Sequence, residues 1–138
     1  MKAHVKKFDY EPAPDKNVVA GFTKLGDDEF RSAGFTLNRP MNVRIYALGE
    51  GRNGDMFDYG WIEDANTGKV VWRMTPRMTE HAGGARKNRL YDGVISLKAG
   101  DYVLHYETDD SHSFNDWNSD PPHDPMNYGI TLYLAKPE

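Results

Sequence analysis

The chain has 138 residues, 38% of them hydrophobic and 12% aromatic, which fits one globular domain around a single core. Its formal net charge is −4, from 17 basic and 21 acidic residues, so it lacks the basic excess usual in a nucleic-acid binder, and no nucleic-acid partner is expected. There is no cysteine, which excludes disulfides, thiolate metal sites and cysteine nucleophiles, and no apolar run approaches the roughly 18–20 residues of a membrane span.

Residues 1–16 contain no apolar segment of the signal-peptide kind. Pro12 and Pro14 suit an arm or an edge strand, because proline cannot donate to a ladder; residues 17–138 read as one domain. Val18–Thr23 and Phe30–Leu37 are short apolar runs separated by the turn-like Gly26-Asp27-Asp28. Met41–Leu48 alternates, with Val43, Ile45 and Ala47 on one face and Arg44, Tyr46 and Leu48 on the other. Gly49–Asp55 then reads as a break. Phe57–Ile62 and Lys69–Met74 flank Asp64–Gly68, a hairpin pattern with Gly68 placed for a positive φ. Trp61 and Trp72 are expected to face each other across it as packing residues.

Thr75, Pro76 and Gly83-Gly84 predict one short helical turn near residues 76–82, with Met74 and Met78 on one side. Arg86-Lys87-Asn88-Arg89 reads as a solvated basic face. Val94–Leu97 and Tyr102–Tyr106 flank Lys98–Asp101 as a second hairpin, with Tyr102, Leu104 and Tyr106 sharing a face. The last strand, Gly129–Ala135, sets Ile130, Leu132 and Leu134 against Thr131 and Tyr133. The pattern predicts an all-β, antiparallel, jelly-roll-like β-sandwich of about eight strands.

Thr108–Tyr128 carries no periodicity and is long for a connection, so a self-packed functional loop is expected. Its Asp116-Trp-Asn-Ser-Asp120 segment alternates oxygen ligands as the opening of a calcium loop does. Pro121 stands where the sharp turn needs glycine, and Asn127 where a bidentate glutamate belongs, so an EF-hand is excluded. A different calcium site stays open, with Asp109, Asp110, Asp116, Asn118 and Asp120 as ligands; the plainer reading of these residues is a set of Asx turns. Calcium is the one cofactor left open. His105, His112 and His123 form no recognised metal-ligand spacing. Asp110-Ser111-His112 resembles a triad only in sequence, where the needed geometry is rare. Trp117, with Asn118 and Asp120, could stack and hydrogen-bond a sugar; the plainer reading folds Trp117 back as the loop's own core.

Phe35-Thr-Leu37, the run Val43–Leu48, Asp58-Tyr-Gly-Trp-Ile62 with its following turn, and the segment Ile95–Leu104 (ISLKAGDYVL) occur in the order of a bacterial jelly-roll accessory module. Over roughly residues 30–106 the chain resembles the pre-peptidase C-terminal type of domain. That resemblance implies a non-catalytic, secreted or surface-associated module that binds polysaccharide or protein, sometimes with calcium, in an extracellular or periplasmic setting. The 108–128 loop and the 75–84 turn lie outside the pattern, and no binding residue carries over. The expectation is therefore a non-enzymatic binding module whose loop meets the ligand. The alternatives are a structural protein that self-associates through edge strands, or a small metal-binding protein or enzyme using the loop's histidines and aspartates.

Overall fold

The computed structural model describes residues 17–135, so the arm or edge strand expected over residues 1–16 lies outside the described residues. The described strands are β1 (Val18–Phe22), β2 (Phe30–Leu37), β3 (Met41–Arg52), β4 (Asp55–Asp64), β5 (Val70–Arg73), β6 (Glu80–His81), β7 (Asn88–Leu97), β8 (Gly100–Glu107) and β9 (Ile130–Leu134). One layer runs β1-β9-β3-β7-β6 and the other β2-β8-β4-β5, all antiparallel. Apart from the two-residue β6, this interleaving of early and late strands is the order of a jelly roll. β4 joins the layers: its first half pairs with β3 and its second half with β8.

The alternation in the sequence explains the core. Val43, Ile45 and Ala47 from β3 meet Ile62, Leu104 and Tyr106 from the opposite layer, all fully buried. Tyr102 and Leu132 join them, as their strand phase predicts. The other face of β3 is also covered. Leu48 packs with Ala82 and Tyr128, and Tyr46, Leu90 and Trp117 close the cluster. The 108–128 loop thus folds back over the outside of β3 and β7.

Several local expectations change. β3 does not break at Gly49 but runs on to Arg52, and a tight turn at Asn53-Gly54, both with positive φ, sends it into β4. The 64–68 hairpin forms, with Gly68 at φ 78°. Trp61 and Trp72 do not face each other. Trp61 is opposite Arg73 on the outer face, whereas Trp72 is buried and tilts against Tyr91. Lys98–Asp101 makes no hairpin either, because β7 pairs with β3 and β8 with β2 and β4. The chain crosses here from one layer to the other, so Leu97 and Tyr102 enter the core from opposite sides. The helical turn is a 3-10 turn over Pro76–Met78, followed by β6 rather than ended by the glycines. Met74 is buried and Met78 exposed. No helix among the described residues is long and apolar enough to cross a membrane.

Candidate functional site: a basic cleft over buried carboxylates

The loop is built from hydrogen bonds that leave little slack. Its first residue, Thr108, donates its hydroxyl to the Gly26 carbonyl at 2.6 Å and accepts from the Glu29 amide at 2.9 Å. The Phe114 amide donates to the Leu25 carbonyl, and the Leu25 amide to the Tyr128 carbonyl. His112 is fully buried although its φ is +58°, a conformation uncommon for a non-glycine residue. Its Nε2 faces Asn88 Oδ1 at 2.5 Å and its Nδ1 faces Asn118 Oδ1 at 2.9 Å. Asn88 Nδ2 donates to the carbonyls of Gly83 and Asp120, so Asn88 Oδ1 must accept and His112 Nε2 carries the proton. Burial, then the neighbouring Lys87 charge, pushes the His112 pKa down. Trp117 meets His112 and Tyr128 edge to face, at centroid distances of 5.1 and 5.0 Å.

Where this loop meets the β3–β4 turn and the 85–89 segment, a cleft of about 910 Å³ opens. Arg52, Arg86, Lys87 and Arg89 line it, and the loop contributes Asn118 and Ser119. Arg89 is held by Thr79, and Lys87 by Glu50 at 3.1 Å and Asn118 at 2.8 Å. Arg52 and Arg86 are exposed, with no ion pair to a described residue. The chain is acidic as a whole, yet this cleft concentrates positive charge.

Behind Lys87 lie three carboxyl groups, Glu50 of β3, Asp58 of β4 and Asp109 of the loop, each with an oxygen within 4.8 Å of the others. Asp58 accepts from the Asp109 amide at 2.9 Å and from the Tyr128 hydroxyl. Burial pushes the Asp58 pKa up to about 8 and raises those of Glu50 and Asp109 as well. The Glu50 Oε1 and Asp109 Oδ1 atoms are buried with no hydrogen-bond partner.

The six residues singled out in the sequence separate. Asp109 enters the carboxyl cluster, while Asp110 is exposed beside it. Asp116 turns to Asp27, and this contact depresses the Asp27 pKa and raises that of Asp116; Ser113 donates to the same Asp27 carboxylate. Asn118 holds Lys87, and Asp120 contributes its carbonyl to Asn88 while its side chain is exposed. Asp116, Asn118 and Asp120 therefore each hold a different partner. Trp117 packs within the loop. Asp110-Ser111-His112 makes no triad, since both His112 nitrogens face asparagines.

Glu50, Asp58, Lys87 and Arg52 were missed. Asp58 left a signal: in Asp58-Tyr-Gly-Trp-Ile62 it is in phase with the buried Ile62, and a carboxylate on a core face needs partners. Glu50 left none, because its partner Lys87 is distant in sequence.

The outer face of β2-β8-β4-β5 bears a second constellation. Ser32 Oγ is 2.7 Å from His105 Nδ1, and His105 Nε2 is 2.8 Å from Glu63 Oε1. The three residues lie side by side on neighbouring strands, Ser32 on the edge strand β2, His105 on β8 and Glu63 on β4. Trp61 and His105 stack at 4.9 Å and Phe30 and His105 at 5.8 Å, with Phe30 itself exposed.

No protein-family model matches the chain, and neither does any curated protein.

Proposed function

We propose that the chain is a non-catalytic module that binds an anionic polysaccharide in the basic cleft, in a secreted or surface-associated setting. The observation that carries this reading is a cleft of about 910 Å³ with two arginines, Arg52 and Arg86, free to meet carboxylate or sulfate groups. Guanidinium groups bind such planar or branched anions through paired hydrogen bonds. Asn118 and Ser119 at the rim offer donors and acceptors for sugar hydroxyls. The loop acts as a rigid wall, so binding costs little ordering entropy. Trp117 serves in this reading as the loop's anchor and not as the stacking platform.

Titration calorimetry with polygalacturonate, dextran sulfate and neutral dextran tests it. Binding to at least one polyanion is expected, weakening with salt, with none to dextran. Arg52→Ala with Arg86→Ala is expected to weaken binding by roughly 10- to 100-fold. Unchanged affinity in the double variant, no binding to either polyanion, or equal binding to an oligonucleotide would overturn the reading.

A further inference from the structure

The cleft uses only the outer edge of the Glu50–Asp58–Asp109 cluster, through Lys87. The cluster's own chemistry is unaccounted for. We propose that Glu50, Asp58 and Asp109 form a binding site for one divalent cation, with calcium the best fit.

The three residues come from three separate elements, the end of β3, the middle of β4 and the start of the loop, and converge only in the folded chain. One oxygen of each lies within 4.8 Å of the others, a span that ligands at 2.3–2.6 Å from one ion can adopt. Glu50 is only 6% exposed, and it divides its oxygens: Oε2 takes the Lys87 ammonium, while Oε1 has no hydrogen-bond partner. Asp109 Oδ1 is likewise buried and unpartnered. The Asp109 carboxyl also meets that of Asp58, so Glu50 Oε1, in a side chain more than nine-tenths buried, is the oxygen most in need of a partner, and a carboxylate oxygen withdrawn from water without one is costly. Charge points the same way. Once an ion has displaced the carboxyl protons, three carboxylates against one ammonium leave two negative charges, the complement of one dication.

The donor set selects the ion class. All three side chains offer hard oxygen and no imidazole or sulfur, which suits calcium, magnesium or manganese over zinc or copper. Calcium tolerates irregular geometry, whereas magnesium demands a near-ideal octahedron and retains several waters. Buried Asp58 and Glu50 set the oxygen positions by the fold, which calcium's flexible shell accepts more readily than magnesium's octahedron, and water entering beside the partly exposed Asp109 would complete the shell. Asp109 is only partly buried and gives an entry path. Four further groups surround the site: the Asp109 amide and Tyr128 hydroxyl fix Asp58, Lys87 fixes Glu50, and Asp110 adds negative charge near Asp109. An ion here would tie the start of the loop to both sheets.

Calorimetry of chelator-treated protein with calcium chloride tests the proposal independently of any polysaccharide. One calcium per chain is expected, with a rise in Tm of several degrees that EDTA reverses. Terbium added to the same protein should give tyrosine-sensitised emission, because Tyr128 contacts Asp58, and calcium should displace it. Asp109→Asn, at the partly exposed ligand, and Glu50→Gln should each weaken calcium binding by about tenfold or more while keeping the side-chain shape. Absence of heat, Tm shift and terbium emission with calcium, magnesium and manganese at millimolar concentration would overturn the proposal. So would stoichiometric calcium binding with wild-type affinity in both folded variants. If neither variant folds, terbium emission and its displacement in the wild-type chain decide the matter alone.

Discussion

Asn88 shows how much one side chain can join. Its amide donates to the carbonyls of Gly83 and Asp120, its Oδ1 accepts from His112, and its backbone pairs with Ala82 and Ala85. Asn88→Ala strands three buried polar groups, each worth about 1–3 kcal/mol, and partial rescue by water brings the expected loss to roughly 2–4 kcal/mol in urea unfolding. His112 gives a pH signature. Its unfolded ring protonates near the ordinary value of 6.5, while the buried ring resists protonation. Below that pH the unfolded chain holds more protons, so this contribution is complete above 6.5 and declines as pH falls through the folded value. The raised carboxyls of Asp58, Glu50 and Asp109 act in the opposite sense, since they favour the folded state as pH falls. The readout is thus a difference: the urea midpoint of wild type should lose more between about pH 7.5 and about pH 5.5 than that of His112→Gln. Trp117→Ala should cost roughly 2–3 kcal/mol, less than a fully buried tryptophan, and weaken polyanion affinity less than the Arg52 and Arg86 double variant does, through the loosened loop wall.

At the scale of elements, two glycines separate backbone strain from collision. Gly54 sits at φ +86° in the β3–β4 turn, and a Cβ added there would meet nothing within 4 Å, so Gly54→Ala should cost about 1 kcal/mol. Gly84 has φ +69°, and a Cβ there would run into the Pro121 carbonyl, backbone that cannot yield cheaply. Gly84→Ala should therefore cost clearly more and free the loop from the 83–88 segment; comparison of the two Tm values checks it. These glycines also show what was legible. Gly68 announced its turn because both flanking strands lie close in sequence. Gly83-Gly84 looked like a helix end, since the partner that needs the close approach lies near Pro121. The turn at Lys98–Asp101 was equally ambiguous: the same residues suit a hairpin or a crossing between layers, and only strand pairing separates them.

Across the whole molecule the loop and the sandwich share one stability. Leu48 and Tyr128 are buried in a cluster that contains both strand and loop residues, on the reverse of the strand that supplies Ile45 to the main core. Ile45→Ala should cost roughly 3–4 kcal/mol. Because β3 carries both clusters, hydrogen exchange should show the Leu48 and His112 amides losing protection together with the sheet.

The sequence by itself determined the elements whose signal is local. Alternation set the faces of β3, β8 and β9, because a strand repeats every two residues and one face is buried. It also marked 108–128 as a self-packed loop, and composition kept the overall chemistry away from thiols and membrane-spanning helices. Tertiary structure decided everything that depends on distance. It paired β7 with β3 instead of β8, turned Trp117 inward, and brought Glu50, Asp58 and Asp109 together beneath Lys87. Those contacts join residues up to about sixty positions apart, and no local pattern encodes which carboxylates will meet once the sheets close.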